Sequence, residues 1–136
     1  MYQKILVAMA LDHEVSQQTL KLARGFCAPD GKVIALHVLE EPQGTANAKL
    51  REDLIAEGKD RATKLFAQKL ADHPKVEPMI ETGHVSRTII EVAQAEGVDC
   101  IVMGSHKPGF AEYLIGSNAA RVVRHAPCSV HVYRSA

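Results

Sequence analysis

VDCIVMGSHKPGFAEYLIGSNAARVV, residues 98–123, changes character twice within a short span. Residues 98–103 read as a buried strand, apolar except at Asp99. Gly104, Gly109 and Gly116 then punctuate a loop, and Gly116-Ser117-Asn118 leads into a helix. On that helix Ala119, Val122, Val123 and Ala126 fall at i, i+3, i+4 and i+7, one face of a 3.6-residue period. Ser117 is placed to accept a bond from the helix backbone as its cap. A strand that feeds a helix through a glycine loop is half of a parallel β-α-β unit.

The same alternation extends through the chain. KILVAMA, residues 4–10, is apolar almost throughout, as a strand covered on both faces must be. From about Glu14 to Cys27 the period becomes helical, with Val15, Thr19, Leu22, Ala23 and Phe26 on one face, and Ala-Pro-Asp-Gly at 28–31 closes the segment. KVIALHVL, 32–39, is a second buried strand. A helix over about 46–72 follows and ends at His73-Pro74. A weaker strand over about 76–81 precedes Thr82-Gly83, and Ser86 is a candidate cap for a helix carrying Ile89, Ile90, Val92 and Ala93. After the opening stretch, Pro127 stops the fourth helix and CSVHVYR, 128–134, alternates as a last strand. The predicted order is β-α-β-α-β-α-β-α-β: one domain over 1–136, an open parallel sheet with helices on both faces.

Composition excludes several classes. Charged residues make up 24% and balance at 16 against 16, so no net field draws the chain to nucleic acid or anionic lipid. With no Trp, three Phe and three Tyr there are few rings on which bases could stack. The longest apolar run, Ile5 to Leu11, is too short to span a membrane and does not resemble a cleaved signal peptide. Three widely spaced cysteines, Cys27, Cys100 and Cys128, read as reduced thiols of a cytoplasmic protein.

In such a sheet, ligands sit beyond the carboxyl ends of the strands, where the strand order reverses. Ala8–Asp12, Val38–Glu41, Gly83–Ser86 and the glycine loop reach that edge. There, the first turn of the last helix presents backbone N–H groups and the positive end of its dipole, which favour an anion. Gly104 and Gly116 would admit a phosphate where a Cβ would collide. From these residues alone the loop is equally a plain connection with a capped helix. No Gly-Lys-Ser/Thr phosphate loop and no G-x-G-x-x-G after the first strand is present. His125, Cys128 and His131 have a metal-like spacing, but Pro127 intervenes and Cys128 and His131 fall on opposite faces of a strand. His37, inside an apolar strand, reads as a hydrogen-bonded structural histidine, and His84 has no Ser or Cys partner recognisable from the sequence.

KILVAMALD, VIALHVLEE, ETGHVSRTIIEVAQAEGVDCIVMGSH and YLIGSNAARVVRHAPCSVHVYR together resemble the universal stress protein family along essentially the whole chain. The resemblance implies a five-stranded parallel, Rossmann-like α/β sheet and, in part of the family, binding of ATP, ADP or AMP, with or without Mg²⁺. Binders usually carry G-x2-G-x9-G-[S/T]; here Gly104 and Gly116-Ser117 match its ends, Lys107 replaces the middle glycine and the loop is one residue shorter. SHKPGFAEYLIGSNA is similar to a short-loop subgroup with a His-Arg/Lys-Pro turn that includes ATP binders.

Carried over by position, the resemblance assigns Ala8, Met9 and Val38 to the adenine, and Met103 and Gly104 to the ribose and first phosphate. Gly116, Ser117 and Asn118 fall to the phosphate clamp, with Gly109 in the loop between. His106 and Lys107 either add positive charge over the phosphates or are solvated. Ala10 stands where binders usually have Asp; Asp12, two residues on, either reaches the nucleoside or caps the first helix. Loss of that contact would remove about 1.5–3 kcal/mol. The resemblance also implies a homodimer through the last strand, residues 128–134. The expected function is a nucleotide-binding stress-response regulator acting on a protein partner. The alternatives are a nucleotide-free dimeric interaction module and a slow ATP hydrolase, for which no water-positioning base is visible.

Overall fold

A computed structural model describes residues 1–11, 15–42, 44, 47–105 and 115–134. Five strands, β1 (Tyr2–Ala8), β2 (Cys27–Leu39), β3 (Glu77–Thr82), β4 (Cys100–Gly104) and β5 (Ser129–Tyr133), alternate with four helices: α1 (Val15–Phe26), α2 (Ala48–Lys69), α3 (Val85–Ala95) and α4 (Ser117–His125). The strands form one sheet in the order β3-β2-β1-β4-β5, every neighbouring pair parallel.

Period-2 alternation divides the apolar strands between two cores. Ile5, Val7, Val33, Ala35, Cys100 and Val102 face Leu20 and Ala23 of α1 and Ala62 and Phe66 of α2. Leu6, Ile34, Leu36, Ile101 and Met103 face Ile89 and Ala93 of α3 and Ala119 and Val122 of α4. Strands covered on both faces have no polar side, which is why they read as continuous apolar runs.

The helix boundaries follow local chemistry. Asn47 caps α2, its side-chain oxygen accepting from Lys49 N (2.9 Å) and Leu50 N (3.2 Å). At α3 the cap is His84 rather than Ser86: Nδ1 accepts from the Arg87 N–H at 3.5 Å, while Ser86 is fully buried. The Ala28–Gly31 segment, expected to close the first helical segment, lies within β2; the register passes from Tyr2↔Cys27 to Lys4↔Lys32 through an irregularity. There Gly31 packs so closely that a Cβ would stand 2.9 Å from the Gln3 carbonyl oxygen, so the chain holds the strand instead of leaving it. At the amino end of the sheet the Asp99 carboxylate accepts from Gln3 N and Lys4 N, both at 2.9 Å. Burial pushes that carboxyl up, but these donors outweigh it and hold it below its ordinary value.

Candidate functional site

The chain winds outward from β1 through β2 to β3, then crosses back to β4 on the other side of β1. The order therefore reverses between β1 and β4, and the crevice lies beyond their carboxyl ends. The ladder between these two strands stops at Val7↔Val102, while β4 runs on to Gly104 beside Tyr133 of β5. The strands part there. Ala8 is half-buried, and Met9 and Met103 are almost fully buried at the base of the opening.

Two backbone bonds fasten the end of β4 beside this crevice. Ser105 N–H donates to the Tyr133 carbonyl at 2.9 Å, and Gly116 N–H donates to the Ser105 carbonyl. The second bond fastens the start of α4 to the end of β4. Gly116, not Ser117, is the helix N-cap, with φ −62° and ψ 155°, and as a glycine it supplies no side-chain cap bond of its own. Ser117 is the first helical residue, exposed, with Asn118 half-buried behind it. A glycine N-cap leaves the first N–H donors of the helix, and the positive end of its dipole, without a bond from the cap residue's own side chain.

The geometry thus brings Ala8, Met9, Val38, Met103, Gly104, Gly116, Ser117 and Asn118 to one edge of the sheet. Asp12, His106, Lys107 and Gly109 lie outside the described residues. Sequence reasoning missed the Ser105 carbonyl, since a backbone acceptor leaves no mark in the residue type. It noticed His37 without finding its partner, which is the Met9 carbonyl, 2.8 Å from Nδ1. His84 does have a serine partner: Ser86 Oγ is 3.2 Å from its Nδ1. Because the Arg87 N–H donates to that nitrogen, Nδ1 is the acceptor and Ser86 donates as well. Fully buried and engaged in the cap of α3, Ser86 is not presented as a nucleophile.

The thiols gather at the opposite edge: Cys27 begins β2, Cys100 begins β4 and Cys128 precedes β5. Burial raises all three, with Asp99's negative charge adding to it, and Cys100 is pushed up to about 11. These are protonated thiols, poor as nucleophiles and as metal ligands. No described helix is long and apolar enough to cross a membrane.

Comparison with known proteins agrees with this architecture. The sequence model of the universal stress protein family matches residues 1–134. The chain is 30% identical to a universal stress protein of Methanothermobacter thermautotrophicus, over 99% of this chain and 97% of that one. It superposes on the hypothetical protein MJ0577, the subject of a structure-based assignment of biochemical function, with a TM-score of 0.85 and 28% identity, covering 100% and 98% of the two chains. A universal stress protein in complex with cAMP shares the fold, with a TM-score of 0.64 and 19% identity, covering 99% of each chain.

Proposed function

The chain belongs to the universal stress protein family, and we propose that it is a member that binds an adenine nucleotide and acts as a homodimeric regulator. One observation carries this reading: β1 and β4 part at the reversal of strand order, next to a helix start whose N-cap residue is a glycine. An anion placed there would receive backbone donors and the helix dipole. The related protein solved with cAMP supports the choice of a nucleotide.

In this reading Ala8, Met9 and Val38 hold the adenine, and Met103 and Gly104 lie under the ribose and first phosphate. Gly116, Ser117 and Asn118 clamp the phosphates, with Asp12, His106, Lys107 and Gly109 completing the set and Mg²⁺ an optional companion of ATP. Binding stabilises one conformation or partner-binding state over another, which is the whole of the regulatory mechanism required. A second copy pairs along β5.

Calorimetry and thermal shift with ATP, with and without Mg²⁺, test the proposal. Micromolar affinity, about 8 kcal/mol, and a raised melting temperature are expected. No heat and no shift at millimolar ATP would overturn it. Ala10, exposed beside the crevice where binders of the family usually carry Asp, favours the second reading, a nucleotide-free interaction module. Mass spectrometry of gently denatured, freshly purified protein separates the two, since only the first retains a nucleotide.

A further inference from the structure

The edge facing the crevice contains a ladder that ends early. Met9 N–H donates to the Leu36 carbonyl at 2.8 Å, so the backbone groups of Leu36 point toward β1. Successive residues of a strand turn these groups to alternate sides. Those of Val38 therefore also face β1, whereas those of Leu39 face β3, where Gly83 N–H donates to the Leu39 carbonyl at 2.9 Å. The next rung of a regular parallel ladder would be Val38 N–H to the Met9 carbonyl. It is not formed: the pairing of β1 with β2 stops at Ala8↔Leu36. The Met9 carbonyl is instead engaged by His37 Nδ1 at 2.8 Å. A carbonyl only accepts, so Nδ1 carries the proton. Phe66 stands edge-on to the imidazole, with centroids 6.5 Å apart and planes at 85°, and fixes its orientation.

We propose that His37 is a positioning residue: by drawing the Met9 carbonyl out of the ladder it leaves the Val38 N–H and C=O open side by side as the edge that reads the base. An adjacent donor and acceptor at this spacing match the ring nitrogen and exocyclic amine of adenine, and mismatch guanine, which presents the opposite polarity there. The use of this edge for a base rests on the nucleotide reading above; the opened ladder does not.

The experiment has a ligand-free arm and a ligand arm. In the ligand-free wild type, amide hydrogen exchange is expected to be far faster at Val38 than at Leu36, and His37→Phe is expected to protect Val38 as the missing rung closes. His37→Asn keeps a donor near the Nδ1 position and is expected to leave Val38 open. With ATP, the Asn variant should stay within about threefold of wild type, while the Phe variant loses about tenfold and narrows the preference for ATP over GTP. A Val38 amide as protected as Leu36 in the wild type overturns the inference, as does a folded Asn variant with Val38 open that loses affinity like Phe. Should the Phe variant fail to fold, wild-type exchange and the Asn variant still decide. Fast exchange at Val38 in a protein that gives no heat with ATP supports the opened ladder and overturns the nucleotide reading.

Discussion

His73, just beyond α2, is 7% exposed and accepts a hydrogen bond at Nδ1 from Arg24 Nη1 at 2.9 Å. An arginine cannot accept, so the bond needs a neutral imidazole acceptor. Burial lowers the tendency of this ring to charge, Arg24 and Lys21 lower it further, and Asp72 opposes them in part. The folded protein therefore holds this proton less tightly than the unfolded chain does. Its contribution to stability is complete above about pH 6.5 and is lost as the pH falls through the lower folded value. Thermal melts across that range are expected to show a decline in wild type that His73→Phe flattens. A variant as acid-sensitive as wild type would assign the decline to other groups.

At the scale of elements, α4 and the bond that fastens it to β4 border the proposed phosphate site. Gly116 has φ −62°, which any residue can adopt, so backbone conformation does not demand glycine here, and in the nucleotide reading a phosphate's close approach does. Gly116→Val should therefore cost only about 1 kcal/mol of stability as an altered N-cap while removing the heat of ATP binding. Unchanged affinity would leave the loop a purely structural role. The alternation of strands and helices was legible in the sequence because each strand is covered on both faces and each helix carries one apolar face. The caps were less legible: serine is the commoner cap by type, yet His84 and Gly116 occupy the cap positions because the turns place them there. Ala28–Gly31 read as the close of the first helical segment because proline, aspartate and glycine punctuate chains, whereas the irregularity beside Tyr2 absorbs them within β2. The opened rung at Val38 was invisible, since it depends on which backbone group a distant side chain occupies.

Across the whole molecule the two rims of the sheet differ. Both β3 and β5 end the sheet, and each turns half of its backbone groups outward. In β3 the residue register puts Pro78 among the outward positions, where a proline offers no donor, and Glu77 and Glu81 add charge. In β5 the Tyr133 carbonyl points to β4, so Val130 and Val132 present their N–H and C=O outward with no proline between them. Only β5 therefore offers an unblunted rim for an isologous, antiparallel pairing with a second copy. Sedimentation equilibrium is expected to give twice the 14.8 kDa chain mass at micromolar concentration. Val130→Pro removes an outward donor without touching the bonds to β4 and should halve that mass. A wild type sedimenting as one chain refutes the dimer, and a dimeric proline variant moves the interface elsewhere.

The bond from Gly116 N–H to the Ser105 carbonyl has a further consequence for how such a chain can change over time. Ser105 and Gly116 are thus held together as two anchors, whatever the length of chain that joins them. Closing a longer segment over the same two anchors adds only about 0.6 kcal/mol for each doubling of its length. A longer, glycine-richer or more basic stretch grafted between Ser105 and Gly116 is therefore expected to shift the melting temperature only slightly. Insertion and deletion between these two anchors are thus cheap for the sheet that holds them.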